Sequence, residues 1–253
     1  MSFFEHVDEI RVRLMRCLVV FLIGVCVFYL VSEQLLEFLR RPLFAVLAPE
    51  NRKLYFTNLF ENFLTHLKIS GYAAVFGFSP FYFHQLWQFV SPGLYPRERK
   101  VVVPFVALAT TFFIGGALFA YYALFPIGFK YFVTYGAPTD VPLLTIDAYY
   151  TTCLKLMLLF GIAFEFPVLI LLLGFLGVVN AEMLRQNRKT IIIGITMVAA
   201  VFAPPDAISM LILGVPLVLL FELSILVVAR MDRGKAAKNT DSGGSAAVIS
   251  NPN

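Results

Sequence analysis

The sequence predicts an all-α integral membrane protein with six transmembrane helices, and three observations carry that prediction. Of 253 residues, 59% are hydrophobic and only 14% are charged, with a mean hydropathy of +0.81, whereas a soluble domain carries about 25% charge. Two stretches, 69–96 and 101–129, contain no Asp, Glu, Lys or Arg at all, and about 20 apolar residues suffice to cross a bilayer. The cations between the apolar runs fall unequally on the two sides. The net charge of +4 is too small and too scattered for nucleic-acid binding.

Residues 1–13 predict an amphipathic helix in the membrane interface. Phe3, Val7, Ile10 and Leu14 recur at helical spacing, while Glu5, Glu9 and Arg13 share a polar stripe where ordinary i, i+4 pairing is the default reading. Three acids precede the first arginine, unlike the basic start of a cleaved signal peptide, so the first apolar segment is expected to be retained. A six-span membrane domain is expected over 14–229. Its spans fall at about 14–32, 67–88, 103–125, 152–176, 189–203 and 208–228. Spans 5 and 6 are separated only by Ala203-Pro204-Pro205-Asp206, whose prolines stop one helix and help launch the next. Span 5, at about 15 residues, reaches only about 22 Å across a core of about 30 Å. It therefore predicts a locally thinned bilayer or ends covered by protein. The tail 230–253, rich in Gly, Ser, Asn and Lys from Asp232 onward, reads as disordered.

Lys and Arg set the orientation. Arg11, Arg13, Arg16, Arg97, Arg99, Lys100, Arg185, Arg188, Lys189, Arg230, Arg233, Lys235 and Lys238 fall on one side. Arg40, Arg41, Arg52, Lys53 and Lys130 fall on the other, a division of 13 against 5. The positive-inside rule then puts both termini in the cytoplasm. The external segments 33–66 and 126–151 are long enough to hold short structure of their own.

Few residues point to chemistry. Glu165, in Gly161-Ile-Ala-Phe-Glu-Phe-Pro167, sits near the middle of span 4. A lone ionisable group at that depth is either neutral or facing a polar cavity. A functional polar site and an interhelical hydrogen bond are equally good readings of it, and Pro167 should bend the helix beside it. Glu98 lies among Arg97, Arg99 and Lys100, where charge pattern alone favours a local surface salt bridge. Gly115, Gly116 and Ala120 offer a small-residue packing face. Cys17, Cys26 and Cys153 have neither CxxC spacing nor a histidine cluster, so no metal site, disulfide or cofactor is expected. His66 and His84 are isolated. HExxH, GxSxG, P-loop and GxGxxG patterns are absent, which argues against an enzyme.

The ordered set of segments resembles the TatC family, the core subunit of the twin-arginine protein translocase. It consists of His6-Val-Asp-Glu-Ile-Arg-Val-Arg-Leu14, Arg41-Pro42-Leu43, Phe78-Ser-Pro80, Gln85-Leu-Trp-Gln-Phe-Val-Ser-Pro-Gly-Leu-Tyr95, Glu98-Arg99, Gly116-Ala-Leu-Phe-Ala-Tyr121, Phe125-Pro126, Gly161 to Pro167, Ala203-Pro-Pro-Asp206 and Phe221-Glu222. The resemblance runs from residue 3 to about 229. It implies a glove-shaped protein of the bacterial inner membrane, both ends cytoplasmic, that binds twin-arginine signal peptides of folded cargo. It also implies assembly with the single-span proteins TatA and TatB, self-association, and export driven by the proton-motive force.

Carried over residue by residue, the resemblance places Glu9 and Glu98 at the arginine pair, with Phe89, Arg11 and Arg99 beside them. It makes Glu165 the intramembrane polar site. Pro42 shapes the external cap, and Asp206, Met210 and Glu222 fall with partner docking. Where the family often has a glutamine four residues after Asp206, this chain has Met210, so docking there relies more on packing. The competing reading from another class is a proton-coupled transporter or channel centred on Glu165. The absence of a repeat between spans 1–3 and 4–6 speaks against it.

Overall fold

The structure, a computed structural model, describes residues 3–90, 102–134, 143–175, 177–202 and 207–249. The described residues are helical apart from short connections, a 3-10 turn at Pro49–Asn51 and one isolated parallel bridge between Tyr55 and Thr145. The chain divides into two compact units, Met1–Phe164 and Glu165–Asn253.

In the first unit α1 (Phe3–Tyr29) runs unbroken from the amphipathic segment into the first span and packs mainly on α3 (Glu61–Gly77). Between them in the chain comes α2 (Ser32–Val46), whose buried Leu36, Leu39, Pro42 and Leu43 form one apolar stripe. The long segment after α1 thus holds the structure expected of it. The second span differs from its prediction. It is broken at Phe78 into α3 and α4 (Ser79–Val90), because Pro80 has no N–H for the Phe76 carbonyl four residues back. The Ser79 hydroxyl donates to that carbonyl instead, at 2.7 Å.

The third span, α5 (Val102–Phe119), passes through a π-helical segment at Ala120–Leu124 into α6 (Phe125–Thr134). The wide turn falls just before Pro126, which cannot complete the regular ladder. Helix α7 (Ile146–Phe175) contains the division between the units. Gly116 on α5 fits the small-residue reading, since a Cβ there would stand 2.3 Å from the Phe160 carbonyl oxygen. Gly115, by contrast, faces open space.

In the second unit the end of α7 is followed by Gly177, at φ 75°, while Val178 N–H reaches back to Leu173 O at 2.9 Å. That left-handed residue and that bond form a Schellman stop. Helix α8 (Ala181–Gln186) is capped by Asn180, which accepts from Met183 N–H, and by Asp232, which accepts from Ala181 N–H at 2.9 Å. Helices α9 (Arg188–Phe202) and α10 (Ala207–Ile249) pack together. The core of this unit is Ile170, Ala181, Leu184, Phe221, Ile225 and Val228. Backbone helix continues to Ile249, past the point where composition predicts a disordered tail.

Among the described residues four helical stretches are long and apolar enough to span a bilayer by themselves: Asp8–Tyr29, Val103–Thr134, Ile146–Phe175 and Met210–Asp232. The other two predicted spans are the broken α3–α4 pair and α9, which at 15 residues is as short as its sequence indicated.

Candidate functional site

The N-terminal half of α1 meets the end of α4 through one arginine. Arg13 donates from Nε and Nη2 to the same oxygen of Glu9, Oε1, at 3.0 and 2.5 Å. Its Nη1 donates to Gln88 Oε1 at 2.6 Å and to Gln85 Oε1 at 3.3 Å, and His84 Nε2 lies 2.7 Å from the Gln88 amide nitrogen. The Glu9 and Arg13 side chains are 23% and 18% exposed, so the pair is partly screened from water. Glu9 Oε2 carries no hydrogen bond among the described residues.

The helical pairing that the spacing of Glu9 and Arg13 predicts is therefore present, and it is tied across to a second helix. Phe89 follows Gln88 and is half-buried at the same end. Arg11, two residues from Glu9, is turned about 200° away around α1 and does not join this cluster. Glu98 and Arg99 lie outside the described residues.

At the opposite end of the first unit the polar groups serve the fold. Pro42 inside α2 leaves the Phe38 carbonyl without its helical donor, and the Tyr121 hydroxyl donates to that carbonyl at 2.8 Å while its ring stacks on Phe38 at 4.1 Å. Tyr149 and Tyr150, from the first turns of α7, donate to Leu39 O and Leu36 O. Pro42 thus frees a carbonyl that a tyrosine from another helix claims.

Beside it Glu61, 7% exposed, accepts four bonds. Thr57 N–H, Thr57 O–H and Asn58 N–H reach its Oε2, and Asp147 N–H reaches Oε1 at 2.8 Å. The Asp147 backbone donor, then the two Thr57 donors, hold the Glu61 carboxyl down to about 2. One carboxylate thereby fixes the start of α3 and the start of α7 next to the Tyr55–Thr145 bridge, and Lys68 pairs with Asp147 alongside. Sequence reasoning missed Glu61 and the three tyrosines. The available signal was Thr57-Asn58 just ahead of a carboxylate at a helix start, a variant of the capping spacing.

Glu165 opens the second unit, and its Oε1 is buried with no hydrogen-bond partner among the described residues, so that oxygen makes no interhelical bond. Arg188 Nε lies 2.6 Å from Glu222 Oε1, close enough for an ion pair but not aligned as a hydrogen bond. Glu222 is thus tied to the start of α9. Met210 is half-buried on α10, and Asp206 lies outside the described residues. Among the described residues no group of three or more His, Cys, Asp or Glu could hold a metal ion.

Apolar helices of spanning length, a guanidinium held by a carboxylate at one end and, within a long helix, a Glu165 oxygen buried without a hydrogen-bond partner among the described residues define a polytopic membrane protein that has no catalytic constellation among those residues. The family model described as "Sec-independent protein translocase protein (TatC)" matches residues 5–216. Proteins of that name from Desulforapulum autotrophicum and Magnetococcus marinus are 36% and 37% identical. The first alignment covers 94% of this chain and 90% of the relative, the second 92% and 85%. A crystal structure of the twin-arginine translocase receptor TatC in DDM superposes with a TM-score of 0.79 at 31% identity, covering 88% of this chain and 99% of that one. The chain belongs to the TatC family. It is a subunit of a protein translocase and not an enzyme, and this does not favour a transporter centred on Glu165.

Proposed function

We propose that this chain is the signal-peptide receptor of a twin-arginine translocase in the bacterial inner membrane. It crosses the bilayer six times, the α3–α4 pair and α9 each counting as one span, with both termini cytoplasmic. The observation that carries this reading is the Glu9 carboxylate. It already receives a guanidinium, from Arg13, on one oxygen, and its other oxygen carries no hydrogen bond among the described residues. A planar guanidinium fork matches a carboxylate bidentately, which a lysine ammonium cannot reproduce. An incoming arginine pair would engage Glu9 and Glu98, with Phe89 giving apolar contact and Arg99 tuning the local charge. Arg11, about 200° around α1 from Glu9, would flank the peptide from the other face of the helix.

The peptide's apolar segment would then run into the membrane toward Glu165. TatA and TatB would dock on the α9–α10 pair through Asp206, Met210 and Glu222, and copies of the receptor would associate with one another. The proton-motive force supplies the energy, since the chain offers no nucleotide-binding motif.

The test is photocrosslinking of a twin-arginine peptide to the full chain in nanodiscs, with probes at Glu9, Phe89 and Glu98 and a Lys-Lys peptide as control. Crosslinks specific to the arginine pair are the expected result. Equal crosslinking by both peptides would overturn the reading.

A further inference from the structure

Span 1 carries one charge that neither the fold nor the candidate site uses. Between Leu14 and Ser32 the sole Lys, Arg, Asp or Glu is Arg16. It is exposed, and no acid stands within ion-pair distance of it among the described residues. A guanidinium set inside an apolar segment is costly unless its head reaches the interface or meets an anion. Arg13, one turn away, is already engaged by Glu9 and Gln88.

Beside Arg16 a groove of about 680 Å³ opens between α1 and α4. Val12, Met15 and Val19 form its floor along α1, Phe81 forms the α4 wall, and Arg11 and Arg16 stand along the same stretch of α1. At 100° per residue the two arginines lie about 140° apart around the helix, on either side of that apolar floor, and about 7.5 Å apart along the axis. Long flexible stems let both guanidinium heads converge on one phosphate between them. Asp8 also lines the groove, about 4.5 Å along the axis before Arg11 and about 12 Å from Arg16, so it stands at the end of the groove away from Arg16 and offsets one of the two cations. The groove therefore keeps a net positive charge.

We propose that this groove binds one anionic phospholipid, its phosphate clamped by Arg11 and Arg16 and an acyl chain laid along Val12, Met15, Val19 and Phe81. Charge complementarity selects this occupant. Two cations over an apolar floor match an amphiphile with an anionic head, whereas a zwitterionic lipid brings its own cation to the same place. An extended peptide would find few partners for its backbone on that floor, and a second copy of α1 would bring arginine against arginine. The bound lipid would neutralise Arg16 and fix the depth of α1 next to the Glu9–Arg13 pair. The inference does not rest on the signal-peptide reading; it requires only that α1 lies in a bilayer.

The test is native mass spectrometry of the full-length chain titrated with dioleoylphosphatidylglycerol or dioleoylphosphatidylcholine. Three variants are compared: Arg11→Gln with Arg16→Gln, Met15→Trp, which fills the groove with both charges intact, and Lys53→Gln as a distant charge control. The expected result is one phosphatidylglycerol retained about tenfold more tightly than phosphatidylcholine by the unaltered chain and by Lys53→Gln. That preference should be lost in the other two variants. Since Met15→Trp keeps the charges, it tests the groove even if the double arginine variant fails to fold. Equal retention of the two lipids would overturn the proposal, as would a preference that survives groove filling. Displacement of the lipid by an added twin-arginine peptide would also overturn it, assigning the groove to the peptide.

Discussion

The two ends of the first unit use polar side chains in opposite ways. At the α2 end, Glu61, Tyr121, Tyr149 and Tyr150 each make a hydrogen bond with a backbone group of another helix, and Glu61 also gathers the donors of Thr57 and Asn58 before its own. At the N-terminal end, Glu9 and Arg13 bind each other, one carboxylate oxygen has no hydrogen bond among the described residues, and Arg13 also touches two glutamine amides. The first arrangement stabilises a shape, because removing any partner orphans a buried group. The second can exchange partners, because the Arg13 guanidinium could be replaced at Glu9 by another. Rigidity at one end and exchangeable charge at the other is what a receptor needs if it must present a fixed scaffold to a ligand that comes and goes.

The contrast breaks most severely at Glu61. Glu61→Gln keeps the shape but turns an amide toward donors that all seek an acceptor, so it should lower the melting temperature in detergent more than any other single change discussed. The pH dependence has a definite sign. The carboxyl is held at about 2, against an ordinary value of 4.5, so its contribution is present above pH 4.5 and is lost as pH falls toward 2. The gap in melting temperature between the unaltered chain and Glu61→Gln should narrow across that window. A gap constant from pH 6 to pH 2 would mean that Glu61 is not the staple its four donors make it.

The other end should respond in binding and not in stability. Glu98→Gln should weaken capture of a twin-arginine peptide by about 1.5–3 kcal/mol, the range for a hydrogen bond to a charged group, while moving stability by no more than about 0.5 kcal/mol. Isothermal titration in nanodiscs, paired with a melting curve, reads both. An unchanged affinity would remove Glu98 from the site. A large loss of stability would place it with the structural acids of the α2 end.

Tyr121→Phe makes the converse case on a smaller scale. It retains the stack on Phe38 but leaves the Phe38 carbonyl without a donor, at about 1–2 kcal/mol of stability, with peptide affinity unchanged. Pro42→Ala restores the N–H that α2 lacks, so in the Pro42→Ala background the tyrosine should matter less. If Tyr121→Phe costs as much in that background as in the unaltered chain, the freed carbonyl is not its origin.

These residues also mark what the sequence could convey. Apolar runs and cation asymmetry announce spans, and the Pro80 and Pro126 positions mark where the second and third spans depart from regular helix, since those are local properties of the chain. Glu9 and Glu165 stood out because an acid is conspicuous in its setting. The cap was illegible for the opposite reason. Pro42 stands 79 residues before Tyr121 in the chain, and nothing local says that a tyrosine hydroxyl will serve a carbonyl that a distant proline has freed. Glu61 looks like one more polar residue in an external segment until Asp147 N–H is brought to it from α7. Arg11 shows the limit of reading by motif: residues two apart belong to one motif in the sequence and to opposite sides of a helix in space.

The smallest expected effect is the most informative about exchange. If Arg13 holds the place of an incoming arginine, removing it should favour the peptide, because Glu9 no longer has to release an internal partner. Arg13→Gln should then tighten twin-arginine binding by about 0.5–1 kcal/mol, the worth of a partly exposed ion pair, and the gain should vanish when Glu9→Gln is added. Arg13→Lys should fall between, since an ammonium cannot reproduce the forked contact. Weaker binding in Arg13→Gln would reverse the assignment: Arg13 would then orient Glu9 for the peptide, and the N-terminal end would be as preorganised as the cap.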